Sequence, residues 1–254
     1  MSQNFPQSDY QNKFGIKFLL ISNFALFILT KLPGIKSNMP EFMLEPLTFK
    51  VWQNLTYMFL HTDGFHFFFN MLTLFFIGRS VEDAMGTKKF LQFYVLCGVG
   101  GAIATHLIGL FGVGGVTLGA SGAIFGLFYA CYYYNPEAIV HVYFIFPVKL
   151  KWVLLVLGGF NLLMLFDENS GVAYYAHLGG LLTGILYFQL RVRVTQWLKN
   201  RSHKKHIKEV KANEDMKIKV DELLQKISRE GMGALTSKEK KYLEKSSKKY
   251  HSKK

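Results

Sequence analysis

Ser121 and His177 are the residues whose types and surroundings point most directly to chemistry. Ser121 lies in "TLGASGAIFGLFYACYYY" (117–134) and His177 in "AYYAHLGGLLTG" (173–184), each inside an apolar run. A neutral imidazole can take the proton of a serine hydroxyl during nucleophilic attack and return it to a leaving amine. That exchange needs hydrogen-bond contact, and therefore two backbones brought close together. Gly122 and Gly126 make one G-x-x-x-G face, and Gly180 and Gly184 make another. Small residues at that spacing let membrane helices approach closely. Plain helix packing accounts for the glycines, and back-bonding to a carbonyl accounts for a lone serine. Neither gives His177 a purpose.

Attack on a carbonyl also creates an oxyanion, which needs hydrogen-bond donors. His66 and Asn70 in "HTDGFHFFFN" (61–70) are four apart, on one helix face. They can serve as donors, or simply as helix–helix hydrogen bonds. The backbone N–H of Ser121 is a further donor if that residue begins its helix, where N–H groups are unpaired and the dipole is positive. His61 precedes His66 by one turn and a fraction. Near His177 in sequence there is no carboxylate, and Asp167 and Glu168 fall across a turn, so the reading is a dyad rather than a triad. There is no H-E-x-x-H, and Cys97 and Cys131 both sit in apolar segments as small buried hydrophobes. No metal, cofactor or disulfide framework is expected.

The elements that must position these residues are apolar runs at roughly 14–31, 56–78, 90–111, 117–134, 149–166 and 172–190. Each approaches the ~20 residues a helix needs to cross hydrocarbon. Half of the 254 residues are apolar, and mean hydropathy is positive at +0.17. The expected fold is therefore all-α: a polytopic membrane protein with six transmembrane helices in a compact bundle (14–195). A polar segment (1–13) precedes it, without the marks of a cleaved signal peptide. A basic tail follows (196–254), with a helical hairpin over 214–247. In that tail "GMG" (231–233) ends one helix, and Thr236 with Glu239 has the pattern of a capping box for the next.

Charge fixes the expected orientation. From Arg191 to the end there are 20 Lys+Arg and 8 Asp+Glu, a balance of +12, which leaves +1 of the net +13 for everything before. The 79–89 loop carries Arg79, Lys88 and Lys89, and the 135–151 loop carries Lys149 and Lys151. The positive-inside bias puts both termini in the cytoplasm, at the cell (inner) membrane. Basic residues that begin where the last apolar run ends suit a lipid flank, including anionic lipid, better than nucleic acid.

"GASG" (119–122), "AHLGGLLTG" (176–184) and "HTDGFHFFFN" (61–70) together resemble the rhomboid intramembrane serine proteases, over roughly residues 10–195. "GRSVEDAMGTKKF" (78–90) resembles that family's segment after its second helix. The resemblance implies a bacterial-type intramembrane serine endopeptidase that cuts transmembrane segments of single-span proteins. Carried over, Ser121 is similar to the nucleophile and His177 to the general base. His66 and Asn70, with the Ser121 N–H, are similar to the oxyanion donors. Gly119 matches the glycine that opens the turn, and His61 a histidine near the water-filled cavity. Phe125 stands where many members stack a tyrosine on the histidine. The Trp-Arg pair common in the family's first loop is here Trp52–Gln53. The rival from another class is a non-catalytic rhomboid-like protein that binds membrane clients. A transporter is disfavoured, because nothing in the loops suggests inverted repeats.

Overall fold

The computed structural model describes residues 13–48, 50–142, 145–165, 167 and 172–251. Residues 1–12 of the polar segment lie outside these residues, and so does Glu168. The chain divides into two units, residues 1–190 and 191–254.

Among its described residues the first unit is mainly helical, with one hairpin. Its elements are α1 (Gly15–Leu29), α2 (Pro33–Lys36), α3 (Gln53–Thr56), α4 (Gly64–Thr73), α5 (Arg79–Met85), α6 (Thr87–Gly109), α7 (Ser121–Tyr134), α8 (Leu150–Leu163) and the start of α9, which begins at Tyr174. A π-turn (Leu74–Gly78) joins α4 to α5 without a break. Between α7 and α8 an antiparallel pair, β1 (Ile139–Val142) with β2 (Phe146–Lys149), is registered Val140 to Val148. The sequence reading had this stretch as a loop. Ile139, Val140, Val142, Phe146 and Val148 are β-branched or aromatic, and such residues favour pairing over coil.

The helices α1, α4, α7 and α8 are shorter than the apolar runs that hold them. Only α6 among the described residues is long and apolar enough to cross a membrane, and α1 and α8 are apolar but shorter. The second run begins as helix at Gly64 rather than 56. Asp63 explains the boundary, since its carboxylate accepts from the Phe65 and His66 N–H groups at 2.9 Å each and caps α4.

Burial follows residue size and polarity in an unusual way. Phe18, Ile21 and Phe24 on α1, Ile103 and Leu107 on α6, and Leu155 and Val156 on α8 face outward, whereas Asn23, Gln53, His61, Thr105 and Asn161 are buried. Large outward apolar surfaces mark contact with something other than water. The interior between α6, α7 and α9 is lined by small residues. A Cβ on Gly180 of α9 would overlap the Gly122 carbonyl oxygen of α7, and one on Gly184 would lie 3.1 Å from Gly126 Cα. On the other side of α9, Gly179 faces the Gly100 carbonyl oxygen of α6, 2.6 Å from where its Cβ would be. So both sequence-read glycine faces meet, and α6 supplies a third through "GVGG" (98–101), which that reading did not use.

Two polar anchors tie the periphery to this centre. Glu82, buried in α5, accepts from the N–H of Gly15 (2.8 Å) and Ile16 (3.0 Å) and from the Thr87 hydroxyl (2.5 Å). One carboxylate thus satisfies the open start of α1. In the first loop Gln53 is buried. Its amide donates to the Glu41 carbonyl (3.2 Å) and accepts from the Thr48 hydroxyl (3.0 Å), while Trp52 Nε1 donates to the same Glu41 carbonyl (3.0 Å). Trp52–Gln53 therefore closes the loop with neutral hydrogen bonds.

The second unit holds the rest of α9, which runs to Glu230, and α10 (Ser237–His251). The sequence predicts no helix over 191–213, yet α9 continues through it. That stretch has neither Gly nor Pro, and eight of its 23 residues are Arg or Lys, both good helix formers. Gly231, at φ +82°, ends α9 in a conformation that glycine adopts without strain. At α10 the Thr236 N–H donates to Glu239 (2.7 Å), and the Glu239 N–H donates back to the Thr236 hydroxyl (3.3 Å). Those bonds, with Lys226 beside it, pull the Glu239 carboxyl down to about 2. Leu223 and Leu235 are buried.

Candidate active site

Ser121 is the first residue of α7, and its position is set by the turn before it. Thr117 pairs with Leu44 through two backbone bonds (2.8 and 3.0 Å), and the Gly119 N–H donates to the Tyr57 carbonyl (2.9 Å). Gly119 then turns at φ +118°, and a Cβ there would lie 2.7 Å from His66 Nε2. Only glycine fits both the dihedral and the approach of the histidine. At the start of a 14-residue helix, the Ser121 N–H has no intrahelical carbonyl to bond and sits at the positive end of the dipole.

His177 projects from the first turn of α9 toward this point. Ser121 Oγ and His177 Nε2 are 2.7 Å apart. On the far side of the ring, His177 Nδ1 is 2.8 Å from Asn161 Oδ1 of α8, and Asn161 Nδ2 donates to the Leu157 carbonyl at 2.7 Å. Phe125, one turn beyond Ser121, stacks on the imidazole with centroids 4.5 Å apart and planes within 6°. The ring is held on both edges and one face.

Two cavities meet at Ser121. The first, about 450 Å³, is lined by Tyr57, His66, Gly119, Ser121, Ala176 and His177, among others. The second, about 260 Å³, is lined by Phe65, Asn70, Ser121, Ile124, Phe125 and Phe128, among others, and His66 borders both. His66 and Asn70 thus flank the serine from α4. In this structure the Asn70 amide donates to the His66 carbonyl of its own helix (2.9 Å), and His66 Nδ1 is 3.3 Å from the Thr62 hydroxyl.

One expected cavity residue is displaced. His61 lines neither cavity. Its ring is fully buried behind His66, edge-on to it at 5.1 Å and to Phe67 at 5.4 Å. The shift follows from the helix boundary, since His61 lies in the coil before Asp63 and not on α4. Conversely, Asn161 is not among the residues expected from the sequence. The available signal was an amide within "GGFNLLML" (158–165), a run otherwise without side-chain hydrogen-bonding groups. Gly122 and Gly126 on α7, and Gly180 and Gly184 on α9, bring the two helices together directly below the serine and histidine. Among the described residues no group of three or more His, Cys, Asp or Glu side chains could hold a metal ion.

Comparison with known proteins gives this arrangement a context. Residues 48–194 match a family model described as the rhomboid domain, and residues 208–249 match a family of unknown function, DUF6576. The chain is similar to RHOMBOID-like protein 2 of Arabidopsis thaliana, 33% identical over 153 residues that cover 56% of this chain and 43% of that one. It is similar to rhomboid protease AarA of Providencia stuartii, 31% identical over 56% of that protein and 55% of this chain. Likewise it is similar to rhomboid protease GluP of Bacillus subtilis, 31% identical over 52% of this chain and 24% of that protein. The chain spans about a quarter to just over half the length of these curated relatives. Since the rhomboid domain takes up more than half of its residues, the chain belongs to the rhomboid family.

Proposed function

We propose that this protein is a serine endopeptidase that cuts transmembrane segments of single-span membrane proteins, with Ser121 as nucleophile and His177 as general base. The observation that carries the proposal is the 2.7 Å contact between Ser121 Oγ and His177 Nε2 on the wall of a 450 Å³ cavity. The substrate segment unwinds at the cavity and presents a carbonyl carbon to Ser121 Oγ. As the C–O bond forms, the serine proton passes to His177 Nε2. The imidazolium then donates that proton to the amide nitrogen as the C–N bond breaks. Water repeats the cycle on the acyl-enzyme and frees Ser121.

The oxyanion formed in both halves is received by the Ser121 N–H, His66 and Asn70. The Asn70 amide turns from the His66 carbonyl toward the oxyanion when substrate is present. Losing one such donor costs about 100- to 1000-fold in rate, so Asn70→Ala retains weak activity. An undiminished rate in that variant removes Asn70 from the donor set.

The apolar runs form six spans, with both termini in the cytoplasm and the basic tail beside the lipid surface. The outward apolar side chains of α1, α6 and α8 support this placement, and so does the charge bias of the loops. The retention of both Ser121 and His177 in contact disfavours a client-binding protein without activity. Labelling of the detergent-purified chain by a serine-reactive fluorophosphonate tests the proposal. Wild type is expected to label, and Ser121→Ala and His177→Ala are not. A folded wild type that neither labels nor cuts a membrane substrate contradicts it.

A further inference from the structure

We propose that Asn161 of α8 is a positioning residue that fixes which nitrogen of His177 carries the proton. The inference rests on the Ser121–His177 reading and extends it from two residues to three.

The hydrogen bonds decide the proton's place by elimination. The Leu157 carbonyl can only accept, so the Asn161 atom 2.7 Å from it is the amide nitrogen. The amide oxygen is then the atom 2.8 Å from His177 Nδ1. Having no proton of its own, that oxygen can only accept, so Nδ1 must carry the N–H. A neutral imidazole has one N–H, which leaves the lone pair on Nε2, facing the Ser121 hydroxyl at 2.7 Å. That is the tautomer a general base requires. The opposite tautomer would set the Nδ1 lone pair against the Asn161 oxygen, two acceptors with no proton between them.

Burial strengthens the argument. Only Leu150 and Asn161 of α8 are buried, while most of its apolar side chains face outward. A buried amide on an otherwise apolar helix is costly unless satisfied, and here both ends of it are. As the imidazolium forms during attack, Nδ1–H acquires positive character and its bond to Asn161 strengthens, which holds the ring in line. A neutral amide does this without an anion in the apolar bundle.

The test is kinetic, on the full chain in liposomes with a single-span substrate. It compares wild type with Asn161→Leu, which removes the acceptor at similar volume, and Asn161→Asp, which keeps an acceptor of the same shape. An unsatisfied Nδ1–H is expected to lower kcat about 10- to 100-fold in Asn161→Leu, with KM within about twofold because substrate does not touch position 161. Asn161→Asp should recover part of the rate, because the carboxylate keeps the acceptor for Nδ1–H but sets its second oxygen against the Leu157 carbonyl, to which the amide nitrogen donates at 2.7 Å in wild type. It should also move the acid limb of the pH–rate profile to higher pH, since a carboxylate holds a proton on the imidazole. Tyr57, Asp63 and His66, the other titratable groups on the cavity wall, are identical in all three proteins.

Wild-type kcat in a folded Asn161→Leu overturns the inference while leaving the Ser–His reading intact. Equal impairment in the Leu and Asp variants, with no displaced limb in the Asp profile, overturns it as well. Should Asn161→Leu not fold, the Asp profile decides: a displaced limb supports the role, and an unmoved one ends it. A wild type that does not cut at all removes both readings together.

Discussion

Replacing Gly180 by alanine tests whether glycine contact between α7 and α9 is what brings Ser121 and His177 together. The added Cβ would overlap the Gly122 carbonyl oxygen and lie 2.7 Å from the Gly122 carbonyl carbon. Ordinary contact begins near 3.4 Å, so the two helices must part by at least 3.4 − 2.7 = 0.7 Å. Both obstructing atoms are backbone, and no side-chain rotation relieves them. Gly122 adjoins Ser121, and Gly180 lies one turn from His177, so the separation passes to the pair almost undiminished. A 2.7 Å hydrogen bond becomes about 3.4 Å, beyond the useful range. Misplacement on the scale of 1 Å costs about 100-fold in rate, and overpacking costs about 1–3 kcal/mol in stability. The assay is kcat/KM in liposomes, paired with the melting temperature in detergent. Gly159→Ala on α8 is the control, since no atom lies within 4 Å of its added Cβ. It should be neutral or stabilise by about 0.5–1 kcal/mol. A Gly180→Ala enzyme with wild-type kcat/KM would refute the reasoning, because the pair would then not depend on the approach.

Gly119→Ala meets both a φ of +118° and His66 Nε2 at 2.7 Å, so kinetics should show a loss of at least tenfold, on the order of 1–3 kcal/mol of strain. Phe125→Leu removes the ring stacked on His177; kcat should fall several-fold and Phe125→Tyr should restore it, because stacking needs the ring and not a hydroxyl. Glu82→Ala leaves the Gly15 and Ile16 N–H groups without their carboxylate, and should lower stability by about 1–3 kcal/mol in thermal unfolding. In the tail, the Glu239 carboxyl titrates near 2 because bonds from Thr236 and Lys226 favour its charged form. Its contribution to the hairpin is therefore present above about 4.5, the ordinary value, and is lost as pH falls toward 2. A carboxyl 13C titration should show a midpoint well below 4.5 that moves up in Thr236→Ala.

Much of this was legible in the sequence because its strongest signals are local. A serine and a histidine each followed by spaced glycines, inside apolar runs, imply two helices in close contact whatever the fold around them. The capping box at Thr236 and the glycine stop at Gly231 are equally local. What was not legible depended on boundaries and on third partners. Asp63 moves the start of α4 to Gly64 and leaves His61 behind the cavity rather than on its wall. Asn161 lies in a different run from His177, and no periodicity links them; only the packing of α8 against α9 does. The hairpin after α7 was hidden because four-residue strands give too short a pattern. The helix over 191–213 was not legible because its apolar residues break off between Leu198 and Ile207, which leaves no continuous stripe to mark it.

The most direct test of the account is cleavage of a single-span substrate by the full chain in liposomes, with wild type, Ser121→Ala and His177→Ala compared and the products identified by mass spectrometry. The account predicts one cut within the substrate's transmembrane segment by wild type, and none by either variant. A cut that survives in folded Ser121→Ala, or one confined to the substrate's water-exposed regions, would contradict it.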